Sequence, residues 1–152
     1  MHISLGDDRF EERVINKGEK VFSKDSKCSD LYLLTSGKVA CFSLKDKRVI
    51  PLYLVEEKGV VGEDCLFGDR ETFYYYAVAL EECHITLIPK KDIIDVMQAG
   101  SSWIKSIFGD LSEKIYNTSS LLLEHKIQDK RLSSNYDLTD EDLKLLYQAA
   151  EA

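Results

Sequence analysis

Six short runs rich in β-branched and aromatic residues occupy most of the chain from 21 to 88: 21–22, 31–34, 39–44, 49–55, 74–80 and 84–88. Gly, Asp, Lys and Ser separate them, which is the pattern of short strands joined by turns. Residues 44–48, LKDKR, read as a hairpin turn between two alternating runs. This many short strands with regular turn signals implies a β-sandwich or β-roll. The period changes after Pro89, which suits a helix start. Ile93, Ile94 and Met97 then have helical spacing up to Gly100. Residues 101–127 carry Ile104, Ile107, Phe108, Leu111, Ile115, Leu122 and Ile127 at mostly helical steps, with Gly109-Asp110 as a place to bend. The expected fold class is α+β: an antiparallel β-roll of jelly-roll type followed by C-terminal helices, one of them long. Domain boundaries are expected at 1–127 for the roll and long helix. Residues 128–152 form a linker and a short amphipathic helix. In that last helix Thr139 is the expected N-cap, Leu138 and Leu143 form a staple, and Leu143, Leu146, Tyr147 and Ala150 form the apolar stripe.

Inside the strand-rich region lies a turn of special chemistry. Gly59, Gly62 and Glu63 are arranged as G-x-x-G-E, followed by a short apolar turn at 65–67. A glycine-opened turn that runs into a helix start presents free backbone N–H groups, which suit an anion. A phosphate held in a partly dry pocket normally also wants an arginine fork. The residues downstream are instead Phe73, Tyr74, Tyr75 and Tyr76.

Composition narrows the function classes. The 152 residues are 44% hydrophobic and 31% charged, so the chain can bury a core and is too apolar for disorder. No apolar run approaches membrane-spanning length and the first residues have no signal-peptide core, so a cytoplasmic protein without membrane contact is expected. A formal charge of −7 argues against a nucleic-acid partner, whose phosphates need clustered Lys and Arg. Cys28, Cys41, Cys65 and Cys83 are widely spaced and read as reduced thiols that serve as small core side chains. His2, His84 and His125 cluster neither with each other nor with the cysteines, so no metal is expected. Glu63 and Asp64 are adjacent and would alternate across a strand, so they do not form a paired-carboxylate site. No Walker A or Rossmann spacing occurs, and no enzyme is expected.

Taken in order, these motifs resemble the cyclic nucleotide-binding domain family in its bacterial regulator form. The resemblance runs from about Arg13 to Ile127. It rests on Phe22, then Asp25-Ser26, Leu31-Tyr32-Leu33-Leu34 and Ser36-Gly37-Lys38-Val39, then Gly59, Gly62 and Glu63, then the closing strand, Pro89 and helix. Asp25 and Cys28 stand where the family has turn glycines, and Asp tolerates a left-handed backbone. The resemblance implies that Glu63 matches the glutamate that accepts from a ribose 2′-hydroxyl. It places Phe73 and Tyr74 where the family has the phosphate-binding arginine and the hydroxyl after it. Thr118 and Ser119 fall where some members set Thr-Ser against the purine. Arg70 comes three residues early, which in a strand displaces a side chain by about 10 Å and turns it to the other face. Without the arginine, a charge-assisted bond of about 1.5–3 kcal/mol is lost, roughly tenfold to hundredfold in affinity.

The expected function is therefore a non-enzymatic signalling adaptor that acts by protein–protein contact. Its pocket of Gly59, Gly62, Glu63, Phe73, Tyr74, Thr118 and Ser119 is expected to be degenerate, with no cofactor. The alternative is a genuine receptor for cyclic AMP, cyclic GMP or another small ligand. The expected partners are other signalling proteins and a second copy of the chain. The dimer seam would use Ile104, Phe108, Leu111, Ile115 and Leu122, as the long helix does in related regulators. One or more of Phe73, Tyr74 and Tyr76 is expected to turn inward and fill the phosphate volume. Tyr74 is the best placed to reach the N–H groups of the turn.

Overall fold

The computed structural model describes residues 10–66, 70–100, 102–124 and 138–152. Eight strands form two four-stranded antiparallel sheets. They are β1 (Glu11–Ile15), β2 (Lys20–Phe22), β3 (Asp30–Ser36), β4 (Val39–Lys45), β5 (Arg48–Val55), β6 (Val60–Val61), β7 (Tyr76–Ala79) and β8 (Cys83–Pro89). The first sheet has the order β1-β8-β3-β6 and the second β2-β7-β4-β5. The helices are α1 (Glu63–Leu66), α2 (Lys90–Gln98), α3 (Ser102–Glu124) and α4 (Asp140–Glu151). This is the α+β roll with trailing helices that the strand pattern implies.

The inward residues of both sheets make the main core. Ile15, Phe22, Leu34, Val39, Cys41, Val61, Ala77, Ala79, Cys83, Ile85 and Leu87 interdigitate there. The β4–β5 hairpin closes through Asp46 and Lys47, both with positive φ (50° and 61°) and flanked by the Lys45–Arg48 pair. Two successive left-handed residues match the twist of the flanking strands. Asp25 sits at φ 68° and takes the left-handed turn position that resemblance assigned to a glycine.

In β4 the run from Val39 to Ser43 is buried throughout, so both faces of the strand are covered. The second cover is α4. Its Leu146 and Ala149 pack against Ala40, Phe42, Val78 and Leu80, with Leu138, Leu145 and Ala150 around them. Full burial of Leu146 contributes about 2–3 kcal/mol. The C-terminal helix thus docks on its own roll. Thr139 caps it: its hydroxyl accepts from the Asp142 backbone N–H, and the Asp142 carboxylate accepts from the Thr139 N–H, both at 3.1 Å. The buried stripe differs from the one expected. Leu145 and Ala149 join Leu146, while Leu143 and Tyr147 line a cleft against Arg48 and Val49. The helix lies on the sheet along its 145/146/149 ridge, one step round from the periodicity read off the sequence.

The four cysteines are core side chains, as expected, but two are not free. Cys28 and Cys65 are joined as a disulfide, with Cα atoms 6.1 Å apart, and Cys41 and Cys83 remain thiols. Their 37-residue separation hid the pairing. The helix α3 begins at Ser102 and runs through Gly109 without interruption for about 35 Å.

Candidate functional site

The G-x-x-G-E turn leads from β5 through β6 into α1. Gly59 is fixed by space: a Cβ there would lie 2.5 Å from Val55 Cγ1 and 2.9 Å from the Glu56 carbonyl. Its carbonyl accepts from the Leu34 N–H at 2.9 Å, which ties the turn to β3. Gly62 has φ 92°, a conformation that disfavours any side chain. A Cβ at Gly62 would sit 3.2 Å from Phe73 Cε1. Phe73 therefore lies directly against the turn.

Phe73 is buried to 1% exposure and stacks on Phe22, with ring centroids 3.6 Å apart and planes at 9°. Tyr75 is equally buried and donates its hydroxyl to Asp64 Oδ1 at 2.8 Å. Tyr74, between them, is half-buried. Its hydroxyl bonds that of Tyr53 at 3.1 Å, and Tyr53 also reaches Ser119 Oγ on α3 at 3.3 Å. Tyr74 thus satisfies its phenol on Tyr53 rather than on the backbone N–H groups of the turn. Tyr76 belongs elsewhere: its ring stacks on Phe42 in the cluster beneath α4.

Glu63 and Asp64 open α1, a helical turn rather than a strand, so they do not alternate across a sheet. Glu63 is exposed, whereas Asp64 is 5% exposed and turned inward. Burial raises the Asp64 carboxyl above the ordinary carboxylate range, against hydrogen bonds from Tyr75 and Tyr74 and the more distant Arg70 charge, which lower it. Its Oδ2 has no hydrogen bond of ordinary geometry among the described residues, although the Tyr74 hydroxyl lies near. Desolvation of the carboxyl, with the neighbouring Asp64 charge adding to it, pushes Glu63 up to about 7 as well. Its exposure lets solvent screen much of that effect.

Arg70 turns toward α3. Its guanidinium pairs with Glu113 Oε1 on α3 at 3.7 Å and lies over the rings of Tyr116 and Tyr74. Thr118 is exposed, and only Ser119 of the Thr-Ser pair enters the cluster. The structure thus brings together Gly62, Phe73, Tyr74 and Ser119, and leaves Glu63 and Thr118 facing outward. The sequence reading missed Asp64, Tyr53 and Tyr75 as members of the site. Phe73 and Tyr75 share parity, which hints at a common inward face. Nothing local marks Tyr53.

Asp64 yields a pH prediction. Its folded pKa lies above that of the unfolded chain, so the folded state holds the proton more tightly. Its contribution to stability is complete below about pH 4 and is lost as pH rises through the folded value. Asp64→Asn keeps an oxygen for the Tyr75 hydroxyl and removes the titration. Thermal unfolding across pH should show a flatter loss of Tm above about pH 4 than in the parent. Equal slopes would remove Asp64 from this account.

The two-sheet roll with its flanking helices has counterparts among solved structures. The EAL enzyme Bd1971 in its cAMP-bound form matches with TM-score 0.64 and 21% identity, over 76% of this chain and 32% of that one. A transcriptional regulator (TM1171) from Thermotoga maritima matches with TM-score 0.58 and 20% identity, over 78% of this chain and 93% of that one. The sensor domain of the transcriptional regulator DNR from Pseudomonas aeruginosa matches with TM-score 0.58 and 17% identity, over 80% and 77% of the two chains. The chain spans about a third of the length of the EAL enzyme. No curated protein matches the sequence. Residues 12–99 match the family model for the cyclic nucleotide-binding domain, and the chain belongs to that family. Among the described residues, no helix is long and apolar enough to cross a membrane.

Proposed function

We propose that this chain is a non-enzymatic signalling regulator that uses the cyclic nucleotide-binding fold as a protein-contact module, with a nucleotide pocket that no longer takes a cyclic phosphate. The observation that carries this reading is the position of Phe73. Where the family resemblance calls for an arginine, a buried ring stacks on Phe22 and abuts Gly62. The surrounding chemistry points the same way. The buried polar groups beside the ring are a carboxylate and tyrosine hydroxyls, and the nearby Arg70 is engaged with Glu113. A buried carboxylate repels a phosphate that lacks its own cation. Output would pass through α3, whose Phe108, Leu111 and Ile115 are exposed and so suit a self-contact with a second copy.

Calorimetric titration with cyclic AMP and cyclic GMP tests the pocket. The expected result is no saturable heat in the micromolar range. Saturable binding at low micromolar concentration, abolished by Glu63→Ala, would establish the second reading, a nucleotide receptor. That reading draws on the retained Gly62 turn and on Glu63, which stays solvent-facing at the start of α1.

A further inference from the structure

Two sulfur atoms meet behind the turn that opens α1. Cys28 lies in the segment between β2 and β3, and Cys65 is the third residue of α1. Their Cα atoms are 6.1 Å apart, within the span that a disulfide bridges. Both side chains are buried, at 4% and 2% exposure, in the main core. Cys41 and Cys83 stay unpaired, so cysteine usage is not that of a disulfide-dense secreted scaffold.

We propose that Cys28 and Cys65 form a reversible redox site that controls whether α1, with Glu63 and Asp64, is held in place. The oxidant class is a small-molecule disulfide such as glutathione disulfide. One cysteine thiolate attacks it, forming a mixed disulfide and releasing one glutathione thiolate. The second cysteine thiolate then attacks the protein sulfur of that mixed disulfide and releases the second glutathione. Two protein thiols lose two electrons and two protons, and one glutathione disulfide becomes two thiols. A dithiol reverses the sequence by the same exchange.

The two sides of the link are anchored very differently. The Cys28 side is held without it: the Asp25 N–H bonds the Phe73 carbonyl at 2.8 Å, the Cys28 N–H bonds the Glu71 carbonyl at 2.8 Å, and the Phe73 N–H bonds the Ser26 carbonyl at 3.0 Å. The Cys65 side is a helix of four residues, too short to be stable alone. Among its own anchors are the bond from the Tyr75 hydroxyl to Asp64, a 3.5 Å contact from Lys90 Nζ to the Cys65 carbonyl, and packing against α3 and β3. The reduced state also has a place in the fold. A Cys65 thiol can donate to the Thr72 carbonyl, 3.4 Å from its sulfur. Reduction therefore loosens α1 while the roll persists. This control is independent of whether the pocket takes a nucleotide.

The test uses the whole chain, incubated natively with glutathione disulfide or with dithiothreitol and then alkylated. After oxidation, the Cys28 and Cys65 peptides should be linked and the chain two hydrogen atoms lighter. Dithiothreitol added to the folded protein should restore both thiols. Hydrogen exchange at 62–66 should quicken by about tenfold or more on reduction while 39–42 stay protected. The oxidised form should melt about 10 °C higher, given the length of chain enclosed. Cys28→Ser should erase these differences. Alkylation of both Cys28 and Cys65 after native oxidation, or a linkage through Cys41 or Cys83, would overturn the proposal. So would a bridge that dithiothreitol opens only in unfolded protein. The peptide map of the parent decides the matter even if the variant does not fold.

Discussion

Replacing Phe73 with Ala should cost about 3–5 kcal/mol of folding stability, or roughly 10 °C in Tm for a chain of this size. The ring is 1% exposed, stacks on Phe22 and meets Tyr75 edge-on at 6.3 Å. Removing it forfeits the transfer of a large apolar side chain and leaves a void. The walls of that void are poorly placed to collapse. On one side is the Gly62 backbone, fixed at φ 92°; on another is Tyr75, tied by its hydroxyl to Asp64. Phe73→Leu fills part of the volume and should cost distinctly less. Urea unfolding with an unchanged m-value measures the difference. A loss below about 1 kcal/mol would mean that the ring is dispensable and that the volume beside Gly62 is open to a ligand. The same substitution thus reads out stability and the occupancy of the site.

How much could be read beforehand depends on where the information sits along the chain. The β4–β5 hairpin was legible because its turn is local: the Asp46-Lys47 pair and two alternating runs specify it. The cap of α4 was legible for the same reason, since Thr139 and Asp142 are one turn apart. β1 was not placed among the strand runs. Every residue of it except Ile15 is exposed, and its single neighbour in the sheet is β8. An edge strand written EERVI carries almost no apolar alternation. β6 is two residues long and falls below any periodicity. The site divides along the same line. The glycines and the aromatic run are contiguous motifs, so Gly59, Gly62 and Phe73 could be named from order alone. The network through Tyr53, Tyr74 and Ser119 joins residues 21 and 66 positions apart. Only the closed roll, with α3 laid across it, brings those hydroxyls together. Asp64 was misread because four residues of helix look like the end of a strand, and helix geometry is what turns its carboxylate inward.

Self-association through α3 is expected, and it should vanish on replacing Leu111 and Ile115 with Asp. Trp103, Ile107, Leu111 and Ile115 follow each other at four-residue steps, and their exposures are 61%, 48%, 48% and 41%. Phe108, at 41%, lies beside them. Ile104, expected in the seam, is half-buried, and the side chain of Leu122 lies outside the described residues. The exposed row forms a continuous apolar stripe along one side of the helix. A soluble monomer rarely leaves such a stripe in water, and a two-fold contact covers the same patch on both copies at once. Two Asp residues per copy would place four like charges across a seam that had been apolar. Association should weaken by about 100-fold or more, equivalent to about 2.7 kcal/mol. Because Leu111 and Ile115 are exposed in the single chain, the change should leave its circular dichroism nearly unaltered. Light scattering at tens of micromolar should therefore give a dimer mass for the parent and a monomer mass for the variant. A monomeric parent would refute the contact outright. A variant that stays dimeric with unchanged affinity would place the interface on another face and leave the α3 stripe to a different protein.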